Sequence, residues 1–361
     1  MSKQKLEGIG FFEKYLTVWV ALCMVAGILI GRYLPAVPRF LGKFEYARVS
    51  IPIAILIWLM IYPMMMKVDF KSVLHVGKNP KGLYVTWVVN WLVKPFTMFG
   101  IAYFFFHGVF GAWIPEALAR DYLAGAILLG AAPCTAMVFV WSHLTKGNPA
   151  YTVVQVASND LIILVAFTPI VAFLLGVGGV AIPWDTLLLS VVLFVVIPLA
   201  GGVFTRNTVV KRRGLAHFQD SFLPKFNNIT ISGLLLTLVI IFSFQGHVIL
   251  ENPLHILLIA IPLILQILLV FFIAYGASKA LKLPHDVAAP AGMIGASNFF
   301  ELAVAVAITL YGTTSPVALA TIVGVLVEVP VMLLLVKFAN NTRHWFSPAK
   351  AGAAKMETAG I

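Results

Sequence analysis

The sequence predicts an all-α integral membrane protein of ten transmembrane helices, and three observations carry that expectation. First, 61% of the 361 residues are hydrophobic, only 11% are charged, and mean hydropathy is +0.98. Soluble chains are usually about 45–50% apolar and about 25% charged, so the charges here are too few to coat a water-facing surface. Second, apolar runs near the length of about 20 residues needed to cross a bilayer recur along the whole chain. Third, lysine and arginine gather in the short connections between those runs, as residues that set membrane orientation do.

The ten expected spans are 15–34, 49–68, 83–107, 122–144, 149–175, 184–205, 229–246, 253–278, 287–311 and 314–338. With the N-terminus placed in the cytoplasm, the inner connections and tails carry nineteen basic residues. They are Lys3, Lys5, Lys14, Lys67, Lys71, Lys78, Lys81, Lys146, Arg206, Lys211, Arg212, Arg213, Lys225, Lys279, Lys282, Lys337, Arg343, Lys350 and Lys355. The outer connections carry five, namely Arg32, Arg39, Lys43, Arg48 and Arg120. That asymmetry places both termini in the cytoplasm. A secretory signal is not expected, because the first apolar run lacks a small-residue cleavage site and further runs follow to the C-terminus.

Composition also excludes several classes of function. The net charge of +11 is spread over connections instead of one soluble face, which argues against nucleic acid. Two cysteines, Cys23 and Cys134, form neither a CxxC motif nor a disulfide framework. No HExxH or GxSxG motif and no histidine pair within a span is present, so an intramembrane enzyme is not expected, nor a cofactor.

Ten crossings divide into two sets of five, and an odd number per set inverts the second copy. The expected organisation is a first repeat over 1–180, an inverted second repeat over 181–340, and a cytoplasmic tail over 341–361. The fourth span of each set is interrupted at its middle, by Gly130-Ala131-Ala132-Pro133-Cys134-Thr135 in one and Gly295-Ala296-Ser297-Asn298-Phe299-Phe300-Glu301 in the other. Paired interruptions in corresponding spans point to a transporter binding site. A broken helix exposes backbone groups that lipid cannot satisfy, so it must lie inside protein or line a cavity.

Lys94, Asp160, Glu301 and Glu328 fall inside the spans. A charge at a helix centre costs about 2.5–3.5 kcal/mol to insert, so four cost on the order of 10 kcal/mol and are expected to face the protein interior. Ser297 and Asn298 precede Glu301 by four and three residues, which on a continuous helix makes one polar face. A carboxyl on such a face can exchange a proton as its surroundings change. Gln155 and Asn159 form a similar face beside Asp160, and Lys94 is expected to pair with a carboxylate. Cys23 sits in a plain apolar run and reads as a small hydrophobe. Cys134 follows Pro133 at the break, where a thiol can meet a cavity, and thiolates prefer soft ions.

These residues carry a resemblance. The run from Gly130 to Val138, with Trp141 and Gly147-Asn148-Pro149, resembles the arsenical-resistance arsenite efflux permeases of the bile-acid/arsenite/riboflavin transporter superfamily. Ser158-Asn159-Asp160, the run from Gly295 to Glu301, and Val327-Glu328-Val329-Pro330 resemble them too. The resemblance implies two inverted five-helix repeats whose discontinuous fourth and ninth helices cross at mid-membrane. It implies export of arsenite from the cytoplasm in exchange for protons; members differ in accepting antimonite. Cys134 then matches the substrate cysteine, with Thr135, Asn159, Ser297, Asn298 and Glu301 as its neighbours. Glu301, Glu328 and Asp160 are the acids implied for proton coupling, and no metal ligand beyond the arsenite thiol is expected. A sodium-coupled organic-anion importer of the same superfamily explains the architecture but leaves Pro133-Cys134 without a purpose. A channel-like pore is a further alternative, distinguished by flux that does not saturate.

Overall fold

Breaks and prolines punctuate the helices and decide where polar side chains can meet. In the computed structural model, residues 15–46, 49–67, 80–135, 137–180, 184–251 and 253–346 are described. The expected anchors Lys3, Lys5, Lys14, Arg48, Lys71, Lys78, Lys350 and Lys355 lie outside them, as does the tail beyond residue 346.

Helix α1 (Leu16–Tyr33) turns by 94° into the short α2 (Ala36–Gly42). A two-residue antiparallel pair, β1 (Glu45–Tyr46) with β2 (Val49–Ser50), leads into α3 (Ile51–Met65). Helix α4 runs over Lys81–Val109 and widens to π-helical turns at Val89–Val93 and Phe104–Val109. The first widening has a local cause. Pro95 has no N–H to donate, and its ring crowds the carbonyl four residues back, so the turn before it loosens.

Helices α5 (Glu116–Gly130) and α6 (Val138–Leu144) flank the first interruption. Helix α7 (Pro149–Val177) starts where its sequence says it should. Asn148 accepts from the Tyr151 N–H at 3.1 Å and Pro149 takes the first helical position. Then come α8 (Trp184–Arg213), a set of short turns over 215–226, α9 (Asn227–Glu251) and α10 (Pro253–Ala280). Helices α11 (His285–Ala296) and α12 (Phe300–Tyr311) flank the second interruption, and α13 (Pro316–Asn341) starts on a Ser315 cap.

Among the described residues, six helices are long and apolar enough to cross a membrane, or seven if α1 and α2 count as one bent span. Each expected span overlaps a helix or a helix pair among the described residues. The remaining stretches are short or broken: α3 has 15 residues and reaches about 22 Å at 1.5 Å per residue, and α5/α6 and α11/α12 are interrupted.

Helix packing separates two groups. Helix α9 packs on α1 and α3, and α3 on α8, while α4, α5, α7, α10, α11 and α13 surround the two interruptions. Close approach in the first group depends on glycine. A Cβ on Gly31 of α1 would stand 2.4 Å from the Ser243 carbonyl of α9, and one on Gly27 would stand 2.5 Å from Phe242 Cβ. Small residues at such spacing let membrane helices touch backbone to backbone.

Gly31→Leu therefore forces α1 off α9 and is expected to destabilise the protein by about 1–3 kcal/mol, the usual cost of overpacking. Gly100→Ala, where an added Cβ meets nothing within 4 Å, is expected to leave thermal unfolding in detergent unchanged or slightly raised.

Candidate functional site

The site begins with backbone. After Gly130 the chain leaves helical geometry, because Pro133 supplies no N–H to continue the α5 ladder. Ser297 adopts an extended conformation (φ −77°, ψ 139°) immediately after α11. The two extended segments lie antiparallel, with Pro133 opposite Asn298. The Cys134 N–H donates to the Ser297 carbonyl at 3.2 Å, and the Phe299 N–H donates to the Ala132 carbonyl at 3.0 Å. Each break thus supplies partners that the other needs, and the interruptions cross.

Side chains then converge on that crossing. Cys134 is fully buried, and its backbone bond to Ser297 holds it at the crossing. Ser297 Oγ donates to Glu328 Oε1 at 2.5 Å, and the Asn298 N–H donates to the same oxygen at 3.2 Å. Glu328 reaches the crossing from α13, two residues before Pro330. Its second oxygen, Glu301 Oε2, Asn298 Oδ1 and Thr135 Oγ1 are buried and have no hydrogen-bond partner among the described residues. Buried polar groups are nearly always paired, so these four atoms remain able to bond a small polar molecule.

Glu301 occupies the first turn of α12 and lines a small, apolar-walled cavity together with Ile57 and Met60 of α3 and Thr237, Leu238 and Ile241 of α9. That cavity lies on the boundary between the two helix groups.

One expectation needs correction. Ser297, Asn298 and Glu301 do not share a helical face, because Ser297 and Asn298 lie in the extended break while Glu301 belongs to the next helix. The break itself brings them together. Lys94 also differs from expectation. Among the described residues no carboxylate oxygen lies within 4.0 Å of its Nζ, which donates instead to the Ser297 carbonyl at 2.5 Å.

Asn159 lies on the α7 side of the assembly, and its Oδ1 accepts from Trp91 Nε1 at 3.2 Å. Next to it in sequence, Asp160 is buried, and neither of its oxygens has a hydrogen-bond partner among the described residues. Gln155 donates to the Gly82 carbonyl and to Tyr151 Oη, a structural use. Cys23 packs in the apolar interior. Sequence reasoning missed Trp87 and Trp91, whose indole N–H groups orient Ser158 and Asn159. Tryptophan is common in membrane spans, and only their contacts distinguish these two.

Comparison with known proteins follows the same lines. The model of the Sodium Bile acid symporter family matches residues 54–252. The chain is 68% identical to the Arsenical-resistance protein Acr3 of Alkaliphilus metalliredigens over 340 residues, 94% of this chain and 95% of that protein. It belongs to the arsenical-resistance permease family. A second Arsenical-resistance protein Acr3, from Corynebacterium glutamicum, is 33% identical over 93% of the permease and 90% of its own length. An uncharacterized transporter of Synechocystis is 46% identical over 95% of the permease and 92% of its own length.

The crossing makes a stability prediction. Ser297→Ala removes the hydroxyl donor from a buried carboxylate and is expected to cost about 1–3 kcal/mol. Glu328→Gln added to it is expected to cost much less than the sum of the two single changes, since both act on one contact. Thermal unfolding of the four proteins measures this.

Proposed function

We propose that this permease is a secondary transporter that carries arsenite out of the cytoplasm in exchange for protons. The observation that carries the reading is the single buried thiol of Cys134, placed at the crossing of two broken helices beside two buried carboxyls. Both relatives named for arsenical resistance cover nearly the whole chain, which supports the same cargo. Ten crossings in two inverted repeats, 1–180 and 181–340, with both termini in the cytoplasm of a plasma or inner membrane, complete the proposal. The distribution of lysine and arginine and the pairing of the interruptions support that arrangement.

The chemistry suits one thiol. Arsenous acid loses a hydroxyl, which leaves as water with the thiol hydrogen, and an As–S bond forms at Cys134. Water reverses the step on the other side. Sulfur is a soft ligand that favours such a centre. A single sulfur also binds weakly enough to release it, as conduction or transport requires. Thr135, Asn298 and Ser297 offer hydrogen bonds to the remaining hydroxyls, and Asn159 bounds the site from α7.

Protons enter through the acids. Glu301 faces the boundary between the helix groups, so relative movement of those groups changes its exposure. Protonation there, with Glu328 and Asp160 as further acceptors, alters the charge around the thiol and couples proton entry to cargo release. Rocking of one group against the other around a fixed crossing gives alternating access. A sodium-coupled organic-anion carrier is the second reading, kept in view by the family description, but Cys134 has no use in it.

The test is arsenite uptake into everted membrane vesicles with an acidic lumen. Cys134→Ser is expected to abolish uptake and Cys23→Ser to leave it within about twofold, a change too small to reflect a lost transition-state contact. Equal tolerance at both cysteines would remove the thiol mechanism. Glu301→Gln is expected to end the dependence of uptake on the pH gradient while arsenite still binds.

A further inference from the structure

Lys94 is a fully buried lysine for which the transport cycle above has no use. Its position is specific. The π-helical turn before Pro95 aims it toward the crossing, and Nζ donates to the carbonyl of Ser297, immediately beyond the C-terminal end of α11. Carbonyls at a helix C-terminus carry partial negative charge and favour a cation. Among the described residues no carboxylate oxygen lies within 4.0 Å of Nζ, so the ammonium makes no direct ion pair. Ser297 links the two charges: its carbonyl accepts from Lys94 and its hydroxyl donates to Glu328.

Unwound carbonyls and half-helix C-terminal ends are where sodium-coupled transporters hold their ion. The family to which this chain belongs is described by sodium symport. Here the corresponding type of ligand is already occupied by a covalently tethered ammonium, and the donor set does not leave the Ser297 carbonyl free for a second cation. We propose that Lys94 is the permease's built-in cation, doing at the Ser297 carbonyl and toward Glu328 what a bound sodium ion does in a sodium-coupled carrier, so that transport needs no sodium. The inference rests on the transport reading for its consequence and on the geometry alone for its cation site.

Two measurements on the full-length protein test it. In everted vesicles, wild-type arsenite uptake is expected to be the same in sodium and in choline. Lys94→Gln is expected to lose about tenfold or more in choline, the factor of one ordinary stabilising interaction, and to recover most of that loss in sodium. Uptake by Lys94→Gln equal to wild type in choline, or a loss that sodium does not reverse, would overturn the proposal.

The second measurement does not involve arsenite. Purified Lys94→Gln in detergent is expected to gain about 2–4 °C in Tm when sodium chloride replaces choline chloride, the shift that a modest ligand gives a chain of this size. Wild type is expected to show no such gain, and Lys94→Gln combined with Glu328→Gln is expected to lose it. A sodium shift as large in wild type, or none in Lys94→Gln, would sink the cation site. If wild-type vesicles move no arsenite, the transport reading fails while the melting result still decides the role of Lys94.

Discussion

Two backbone hydrogen bonds between interrupted helices are the constraint on which the rest of the structure depends. Bringing Ala132 and Cys134 against Ser297 and Phe299 satisfies N–H and C=O groups that neither helix can satisfy alone. In a bilayer an unpaired peptide group costs several kcal/mol, so neither break is stable without the other. That mutual need fixes α5/α6 across α11/α12. It also sets the height at which every functional side chain must arrive. Cys134 and Ser297 belong to the bonded segments themselves; Glu328 and Lys94 reach them from α13 and α4.

Ser297 has more partners than any other residue of the crossing. Its carbonyl accepts from the Cys134 N–H and from Lys94 Nζ, while its hydroxyl donates to Glu328. A cation, an acid and a thiol are therefore joined through one residue of extended chain. Electrostatic effects are large in so dry a place, and a change in charge at any of the three is felt by the others. Glu301 enters from the first turn of α12 and lines a cavity with residues of the neighbouring helix group, so the two acids have different packing partners.

Much of this was legible before any coordinates. The apolar runs set the helices, Asn148-Pro149 and Ser315-Pro316 set two of their starts, and the matching interruptions marked the two segments that pair. Two readings failed, each for a reason of geometry. Periodicity placed Ser297, Asn298 and Glu301 on one helical face by assuming a continuous helix, which the extended Ser297 backbone rules out. Charge arithmetic paired Lys94 with a carboxylate, but the nearest suitable acceptor is a carbonyl freed by the break, which carries no formal charge and leaves no trace in composition.

The sequence by itself determined that this chain lives in lipid, where its helices begin, and which residue types are too costly to face acyl chains. Those are local or compositional properties, fixed by transfer free energies and by proline and capping chemistry. Only the tertiary structure decided which broken strand segment pairs with which, and that Ser297 joins Lys94 to Glu328. It also decided that Glu301 lines a cavity with residues of α3 and α9. Those relations join residues far apart in sequence, as Lys94 and Ser297 are by 203 positions, and no periodicity within a single helix encodes them.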